Sequence, residues 1–529
     1  MRNGTDSNKG FFDRARPDCA ASGIRCDAAR ARGENQARGE NVEADQKTLY
    51  SNNEDDDMSR VTKTIAAMKN SCSKAAFFVS GMLPLAGLAL PAHAQSLQDA
   101  LKQTTISGQV GAYDFTYANA GHGADTKNAF AVGGNLNLHT GAFEGFSVGL
   151  GGYTGQSLGL YSHNPAHDGS SELTSRTHGM QSLREAYLQY ENSFLEVRGG
   201  RQFINTPYAN QDLYTFSPRA FTGVSGVINV IGQNTSDADS APMSLNSSTA
   251  TLSVLAARMF NYNSRYSSTF TDGNRYEAKS NGFIVFGSKY QNSFQNINYA
   301  LQGWYYNFYG LAQLFYGQAD FSTPMSSTSS LFGSAQVASE GNSGDGYTPN
   351  GVTYKVDAHV FGGKLGMSFG DDNVALIGSY SPQSYNAFHH GGMIHPYNDN
   401  SGTTFTDTMQ VGIPDLGPGY AYGITGTIMA LNGKLKINPT YVEYNADYGF
   451  GGNTFTYGGA YGFPTGMTPI HNESIHVIDA GFTYDLADVL KGLSVAWDTD
   501  AAFAQNSSTT NVYYENPYFS SRFYLKYAF

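Results

Sequence analysis

Three arginines, Arg198, Arg201 and Arg219, fall in one short stretch of sequence that also carries two acids, Glu196 and Asp212. A guanidinium presents a rigid fork of donors matched to a carboxylate and stays charged at any physiological pH. The chemistry such groups do best is recognition of small anions. Where they line a narrow aqueous passage, a few are enough to bias it, with Asp212 and Glu196 facing them to set a transverse field. The same residues admit a bracing role, with the arginines paired to Glu185, Glu196 and Asp212 along a wall. Residues 203 to 222, which include Pro207 and Pro218, are long enough to form a loop that constricts the passage. Lys434 and Lys436 share one side of a strand and are second-tier candidates for the same wall.

Other candidate chemistry is weaker. His389, His390 and His395 have a spacing that holds a divalent cation if their loop folds back on itself, but a solvent-exposed His-bearing loop is the simpler reading. The G-x-S-x-G pattern occurs at Gly145 to Gly149 and at Gly155 to Gly159. Neither copy leads into a helix as a nucleophile elbow requires. No phosphate-binding loop, H-E-x-x-H or dinucleotide fingerprint sits at a strand-to-helix junction. No catalytic residue, metal or cofactor is therefore expected. A lipid-surface hydrolase would need a serine and a histidine on one outward face near one rim, and the sequence offers no obvious pair.

The elements that must position these residues are strands. Aromatic residues reach 13%, with 36 Tyr and 33 Phe, while charged residues fall to 14%, well under the ~25% of an ordinary globular chain. From residue 95 onward, period-two alternation dominates, and the one short helix expected covers Ser96 to Lys102. Val132, Gly134, Leu136 and Leu138 form one face; Phe146, Val148 and Leu150 form another. Ala186, Leu188, Tyr190, Leu195 and Val197 face one way, and Glu185, Gln189, Glu196 and Arg198 the other. Asn432-Gly433 predicts a two-residue turn, because both central residues of that turn need positive φ. Polar stretches at 161 to 182, 232 to 248, 322 to 353 and 386 to 418 read as long loops.

The N-terminal region is read separately. Ala75 to Leu90 is an apolar run preceded by Lys69 and Lys74 and followed by Pro91-Ala92-His93-Ala94. It has the parts of a secretory signal peptide, and it is broken by Gly81, Pro84 and Gly87, short of the ~20 residues a spanning helix needs. Residues 58 to 94 are thus a signal region cleaved after Ala94, with Met68 as initiator and Met58 as the second choice. Residues 1 to 57, charged and without periodicity, read as an over-extended, disordered N-terminal region. Cys19, Cys26 and Cys72 all precede the cut, which removes disulfide and thiolate chemistry from the mature chain. Residues 1 to 94 carry 13 Lys and Arg and 12 Asp and Glu, leaving 19 against 32, a net charge of −13. Such a chain is a poor nucleic-acid binder.

At the C-terminus, Phe523, Leu525, Tyr527 and Phe529 alternate with Arg522, Tyr524, Lys526 and Ala528. A terminal strand with one apolar face and an aromatic last residue is what an outer-membrane barrel presents to its assembly machinery. The predicted fold is all-β: one closed antiparallel transmembrane β-barrel over residues 95 to 529, with long extracellular loops and short periplasmic turns. Eighteen strands, with sixteen as the alternative, leave an aqueous lumen. The 435 residues available leave roughly 24 per strand and connection, room for ~10-residue strands.

Several segments also carry a family resemblance. Ser96 to Lys102 followed by Ile106-Ser107-Gly108, then Gly200-Arg201-Gln202, Pro207, Asp212 and Pro218 to Gly223, resemble the OprD-type outer-membrane porins of Gram-negative bacteria. Ala300 to Asn307, Gly317 to Asp320 and Leu486 to Leu493 extend the likeness. The resemblance implies an eighteen-stranded barrel, often trimeric, whose third loop folds into the lumen. It also implies uptake of small, often carboxylate-bearing solutes along wall arginines and lysines. The expected function is passive or substrate-selective diffusion of small hydrophilic solutes or ions, in contact with outer-membrane lipid and lipopolysaccharide. The competing readings are a surface adhesin or receptor with a sealed lumen, and an outer-membrane hydrolase.

Overall fold

The computed structural model describes residues 96–118, 126–159, 173–174, 179–212, 215, 217–232, 250–265, 267–274, 276, 279–348, 353–384, 387–397, 403–409, 411–446, 473–505 and 518–529. The proposed signal region and everything before it lie outside them.

Helix α1 (Leu97–Lys102) opens the described chain, capped by Ser96, whose hydroxyl accepts from the Asp99 amide. The Ser96 hydroxyl and the nearby Lys102 hold the Asp99 carboxyl below its usual range. Eighteen strands follow. The first six are β1 (Thr105–Ala118), β2 (Lys127–His139), β3 (Phe146–Gln156), β4 (Met180–Glu191), β5 (Leu195–Gln202) and β6 (Ala220–Ile231). The next six are β7 (Thr251–Asn263), β8 (Phe283–Phe294), β9 (Ile297–Phe308), β10 (Ala312–Pro324), β11 (Ser329–Asn342) and β12 (Asp357–Phe369). The last six are β13 (Asp372–Ser381), β14 (Gly419–Ala430), β15 (Leu435–Ala446), β16 (Glu473–Asp485), β17 (Leu493–Gln505) and β18 (Tyr518–Ala528). A second short helix, α2 (Ile413–Leu416), lies between β13 and β14.

Every strand pairs antiparallel with its sequence neighbours, and β1 pairs with β18 from Gln109↔Ala528 to Ala118↔Phe519. Closure leaves no edge strand with unpaired backbone groups, which is what a strand in lipid demands. Alternation gives two surfaces of opposite character. In β3, Phe146, Val148 and Leu150 are exposed while Ser147 and Tyr153 point inward and are buried. Exposed Leu136, Leu188, Ile228, Leu301, Leu365, Leu376, Ile478 and Leu525 continue the outer apolar surface around the barrel. A water-facing surface that apolar would be an aggregation site; against acyl chains it is the stable arrangement. The expected eighteen-stranded transmembrane barrel is the observed one.

Connections after even-numbered strands are mostly short, and those after odd-numbered strands mostly long, so the barrel has a turn end and a loop end. Several expectations need correction. Residues 322 to 353, read as a loop, contain the tight 325–328 turn and all of β11. Its lumen side mixes Phe332, Ser334, Gln336, Ala338 and Glu340, and its outer side is diluted by Gly333 and Ala335, which hides the alternation. The Asn432-Gly433 turn spans 431 to 434, with Leu431, Asn432 and Gly433 all at positive φ and Ala430 paired with Leu435. Lys434 leaves the strand there to pair with Asp488 of the neighbouring turn, which raises its pKa. The stretch 232 to 248 lies between β6 and β7, strands whose facing ends are at the turn end rather than the loop end; its residues 233 to 248 lie outside those described, as do 161 to 172. The 203 to 222 loop ends at 219, where β6 begins.

Candidate functional site

The lumen is furnished from the loop end by three inward-folded connections, 203–219, 264–282 and 382–418. Their anchor is Arg184. Opposite β3, Gly151 pairs with Glu185 but Gly152 pairs with Leu183, so Arg184 is the extra residue of a β-bulge. A bulge re-aims a side chain without breaking the sheet, and here it puts Arg184 and Glu185 on the inner side together. Arg184 is fully buried. Its guanidinium donates to the carbonyls of Pro218 (2.6 Å), Ser264 (2.9 Å), Arg265 (3.0 Å) and Ser267 (2.9 Å). One side chain thereby holds the end of the first loop and the start of the second.

Asp212 does the complementary work. It sits at φ +49, a left-handed conformation that Asp tolerates better than most residues. This presents its carboxylate to Arg219 at 3.1 Å and to Arg265 in an ion pair. All three side chains are at most 6% exposed. Arg219 also donates to the Tyr397 carbonyl at 2.7 Å, and Ala209 and Tyr397 form a parallel bridge. The first and third loops are thus joined directly.

Tyr208 carries the first loop across the lumen wall. Its backbone amide donates to the Tyr306 hydroxyl at 3.2 Å, and its ring meets the inward-facing Tyr306 and Tyr316 edge-on. Burial pushes the Tyr208 phenol well above its ordinary pKa, so it is neutral. The Tyr397 ring lies among Phe221, Tyr262, Phe283 and Phe308, with centroids 4.6 to 6.0 Å apart across this cluster. Phe221 and Tyr262 meet the Tyr397 ring edge-on, and such pairs add about 0.5 to 1.5 kcal/mol beyond burial.

The 382–418 loop then crosses to the other wall. The Ile394 amide donates to Glu340 of β11 at 2.7 Å. Farther on, the Tyr444 hydroxyl of β15 donates to the carbonyls of Thr406 and Val411. The Met409 amide donates to Asp479 of β16 at 2.9 Å, and Ser520 of β18 reaches the Met409 sulfur. The loop was expected to lie outside the barrel. It carries Met393, Ile394, Val411, Ile413 and Leu416, all buried, and these apolar residues inside a polar stretch are the signal that it packs inward. His395 is accordingly buried beside Tyr276 rather than solvent-exposed; the His389 side chain lies outside the described set.

The other sequence-derived residues divide. Arg198 faces the lumen from β5, bonded to Gln189 at 2.6 Å and to Glu196 at 2.9 Å, with its guanidinium over the Tyr187 ring. Glu196 is thus beside Arg198 on the same strand, not across from it. Arg201 stands apart: it pairs in register with Ala186 on the face of exposed Leu188, donates to the Leu183 carbonyl and stacks on Phe270. Arg184, Arg265 and the 382–418 loop were missed in the sequence. Adjacent Arg184-Glu185 between outward Leu183 and Ala186 breaks the period-two pattern, and that break is the trace a bulge leaves.

Nearer the turn end, Lys289, Lys364, Lys436 and Lys526 alternate with lipid-facing neighbours and so point into the lumen. Lys289 lies over Trp304, Lys364 over Phe332, and Lys526 over Tyr524. A ring face orients an ammonium without cancelling its charge. Acids are interspersed, with Asp320 on β10 and Asp498 on β17 facing the same interior. On the C-terminal strand, Phe523, Leu525 and Phe529 are exposed and Tyr524 is buried inward.

No protein-family model and no curated protein matches the sequence. Solved structures do. OccK9 (OpdG) of Pseudomonas aeruginosa aligns with a TM-score of 0.63 at 14% identity, over 81% of this chain and 99% of that one. OccK2 (OpdF) of the same organism, solved in complex with glucuronate, aligns at 0.61 and 14%, over 81% and 98%. A BenF-like porin from Pseudomonas fluorescens Pf-5 aligns at 0.63 and 12%, over 81% and 99%. The chain has the fold of the OprD-type porins that its sequence resembles.

Proposed function

We propose that this barrel is an outer-membrane porin of the OprD type that passes small hydrophilic solutes, with carboxylate-bearing ones favoured. The observation that carries the reading is the clamp of Asp212 by Arg219 and Arg265, which fixes the 203–219 loop inside the lumen instead of leaving it on the surface. A barrel serving only as an anchor has no use for a braced internal loop that narrows its interior. Below the loops, Arg198 and the ring-oriented lysines give a solute a succession of cations, and a carboxylate is the group a guanidinium or ammonium holds best. Two structures of like fold were solved with carboxylates, OccK2 with glucuronate and OpdK with vanillate. In this reading the loop end faces outward, the signal region is removed after Ala94, Phe523 to Phe529 form the assembly signal, and the barrels associate as trimers.

The test is single-channel recording in a planar bilayer under a salt gradient. Discrete steps with an anion-biased reversal potential, shortened by added glucuronate or benzoate, are expected. The double variant Arg198→Gln, Lys364→Gln is expected to lower the anion bias while leaving the barrel folded. A closed, non-conducting barrel turns the reading towards an anchored adhesin or receptor, and an unaltered anion preference in the double variant removes Arg198 and Lys364 from the solute path.

A further inference from the structure

On the lipid-facing side of β15 and β16, near the loop end, five polar side chains meet: Tyr441, Glu443, Asn445, Ser474 and His476. The register pairs Glu443 with His476 and Asn445 with Ser474. Their outward direction follows from their neighbours: Glu443 is paired with exposed Tyr422, His476 with exposed Phe503, and Ile478 two residues on is also exposed. The group lies on the opposite face of the wall from the lumen.

Its internal order is specific. The Ser474 Oγ is 3.5 Å from His476 Nε2. The other ring nitrogen, His476 Nδ1, is 2.8 Å from the Tyr441 hydroxyl and 3.8 Å from Glu443 Oε2. The Asn445 amide donates to Glu443 Oε1 at 3.3 Å, and in the resting cluster the Ser474 hydroxyl donates to the same oxygen at 3.4 Å, from which it turns to His476 when substrate binds. Residues two apart on a strand share a face, which is why Ser474 and His476 come together although no motif announces them. A histidine held at one ring nitrogen by the Tyr441 hydroxyl, with the Glu443 carboxylate 3.8 Å from that nitrogen and a serine on the other, is placed to take the serine proton. With the proton on Nδ1, directed to the Tyr441 hydroxyl, the Nε2 lone pair faces Ser474.

We propose that this cluster is a second, ester-hydrolysing site on the outer wall, acting on acyl esters of the surrounding lipid. Ser474 Oγ attacks the ester carbonyl as its proton passes to His476 Nε2. The C–O bond to the lipid alcohol then breaks, and His476 returns the proton to the leaving oxygen. Water, deprotonated by the same nitrogen, cleaves the acyl-serine to release the fatty acid and restore the hydroxyl. Backbone amides of β16 are committed to ladders on both sides, so the oxyanion is met by a side chain. Asn445, directly across the register from Ser474, supplies that N–H. Ile424, Ile478 and Phe503, exposed around the cluster, are the bed for the acyl chain.

The experiment uses the protein expressed from its full chain and purified in detergent, with folding verified by heat-modifiable migration and channel conductance. Two readouts are taken: fatty-acid release from 1-palmitoyl-lysophosphatidylcholine in mixed micelles, and labelling by an alkyl fluorophosphonate located by mass spectrometry. Label on Ser474 is expected, together with hydrolysis that falls by about 100-fold or more in Ser474→Ala and His476→Gln. Asn445→Ala is expected to lower kcat with KM little changed, since its second amide proton meets the oxyanion only in the transition state. Conductance should be the same in all three variants. A folded, conducting protein that neither releases fatty acid nor takes label at Ser474 overturns the proposal. So does hydrolysis undiminished in folded Ser474→Ala.

Discussion

Replacement of Asp212 by alanine is expected to cost about 3 to 5 kcal/mol of stability, the range for breaking a buried ion pair by removing one partner. The magnitude follows from what remains: Arg219 and Arg265, each with a side chain no more than 3% exposed, would face each other with no carboxylate between them. A surface ion pair would be worth ~1 kcal/mol or less, so the size of the effect reports the burial. The 203–219 loop should detach from Tyr397 and become cleavable by protease in the folded barrel, and single-channel steps should become larger and noisier. Urea unfolding and limited proteolysis check both halves. An Asp212→Ala protein with the parental unfolding midpoint and an intact loop would show that the clamp does not hold the constriction. Asp212→Asn should fall between, since it keeps the acceptor oxygen and loses the charge.

Arg184→Met is expected to have an effect of similar size by a different route. Methionine approximates the length of the arginine stem and keeps much of its packing, but leaves four loop carbonyls without their common donor. A hydrogen bond to a charged group is worth roughly 1.5 to 3 kcal/mol. The four share one side chain and are not additive, so a loss on the order of 3 kcal/mol is expected. Arg184→Lys should recover little of it, because an ammonium is a point charge with three donors and cannot reach carbonyls spread around a planar fork. Full recovery by lysine, measured as the urea midpoint, would mean that charge rather than donor geometry holds the loops. The two variants also differ in reach: Asp212→Ala frees mainly the 203–219 loop, whereas Arg184→Met loosens 203–219 and 264–282 together.

How far the sequence discloses this molecule depends on which interactions are local. The alternation of Phe146, Val148 and Leu150, and of Phe523, Leu525 and Tyr527, is legible because lipid on one side and water on the other select residue types at every second position. Asp212 and Arg219 could be named for the same local reason, being charged residues in one short loop. Their partner Arg265 could not, since it is 53 residues from Asp212 and only the closed sheet brings it near. The inward fold of 382–418 was hidden by its Ser, Gly, Thr and Asn content, which reads as surface loop until its apolar residues are counted separately. Arg201 shows the opposite failure: charge and proximity in sequence placed it with Arg198, but an odd spacing on a strand sends it to the other face. The serine and histidine of the outer wall escaped because Ser474-Ile475-His476 is an unremarkable strand fragment until register supplies Glu443 and Asn445.

The third loop also fixes an order of events in assembly. Its partners Tyr444, Asp479 and Ser520 all come later in the chain, and the contact from Met409 to Ser520 spans 111 residues. Contacts so distant in sequence form late. The 203–219 loop can dock once β9 and β10 have paired, but 382–418, whose seats run from Glu340 of β11 to Ser520 of β18, completes its contacts only when β18 has joined the sheet. A nascent barrel therefore passes through a stage in which the sheet is open and Met393, Ile394, Val411, Ile413 and Leu416 are uncovered, a sticky surface of the kind that chaperones shield. The lumen is thus narrowed first by the 203–219 loop and last by 382–418, and completion of the constriction marks the end of folding.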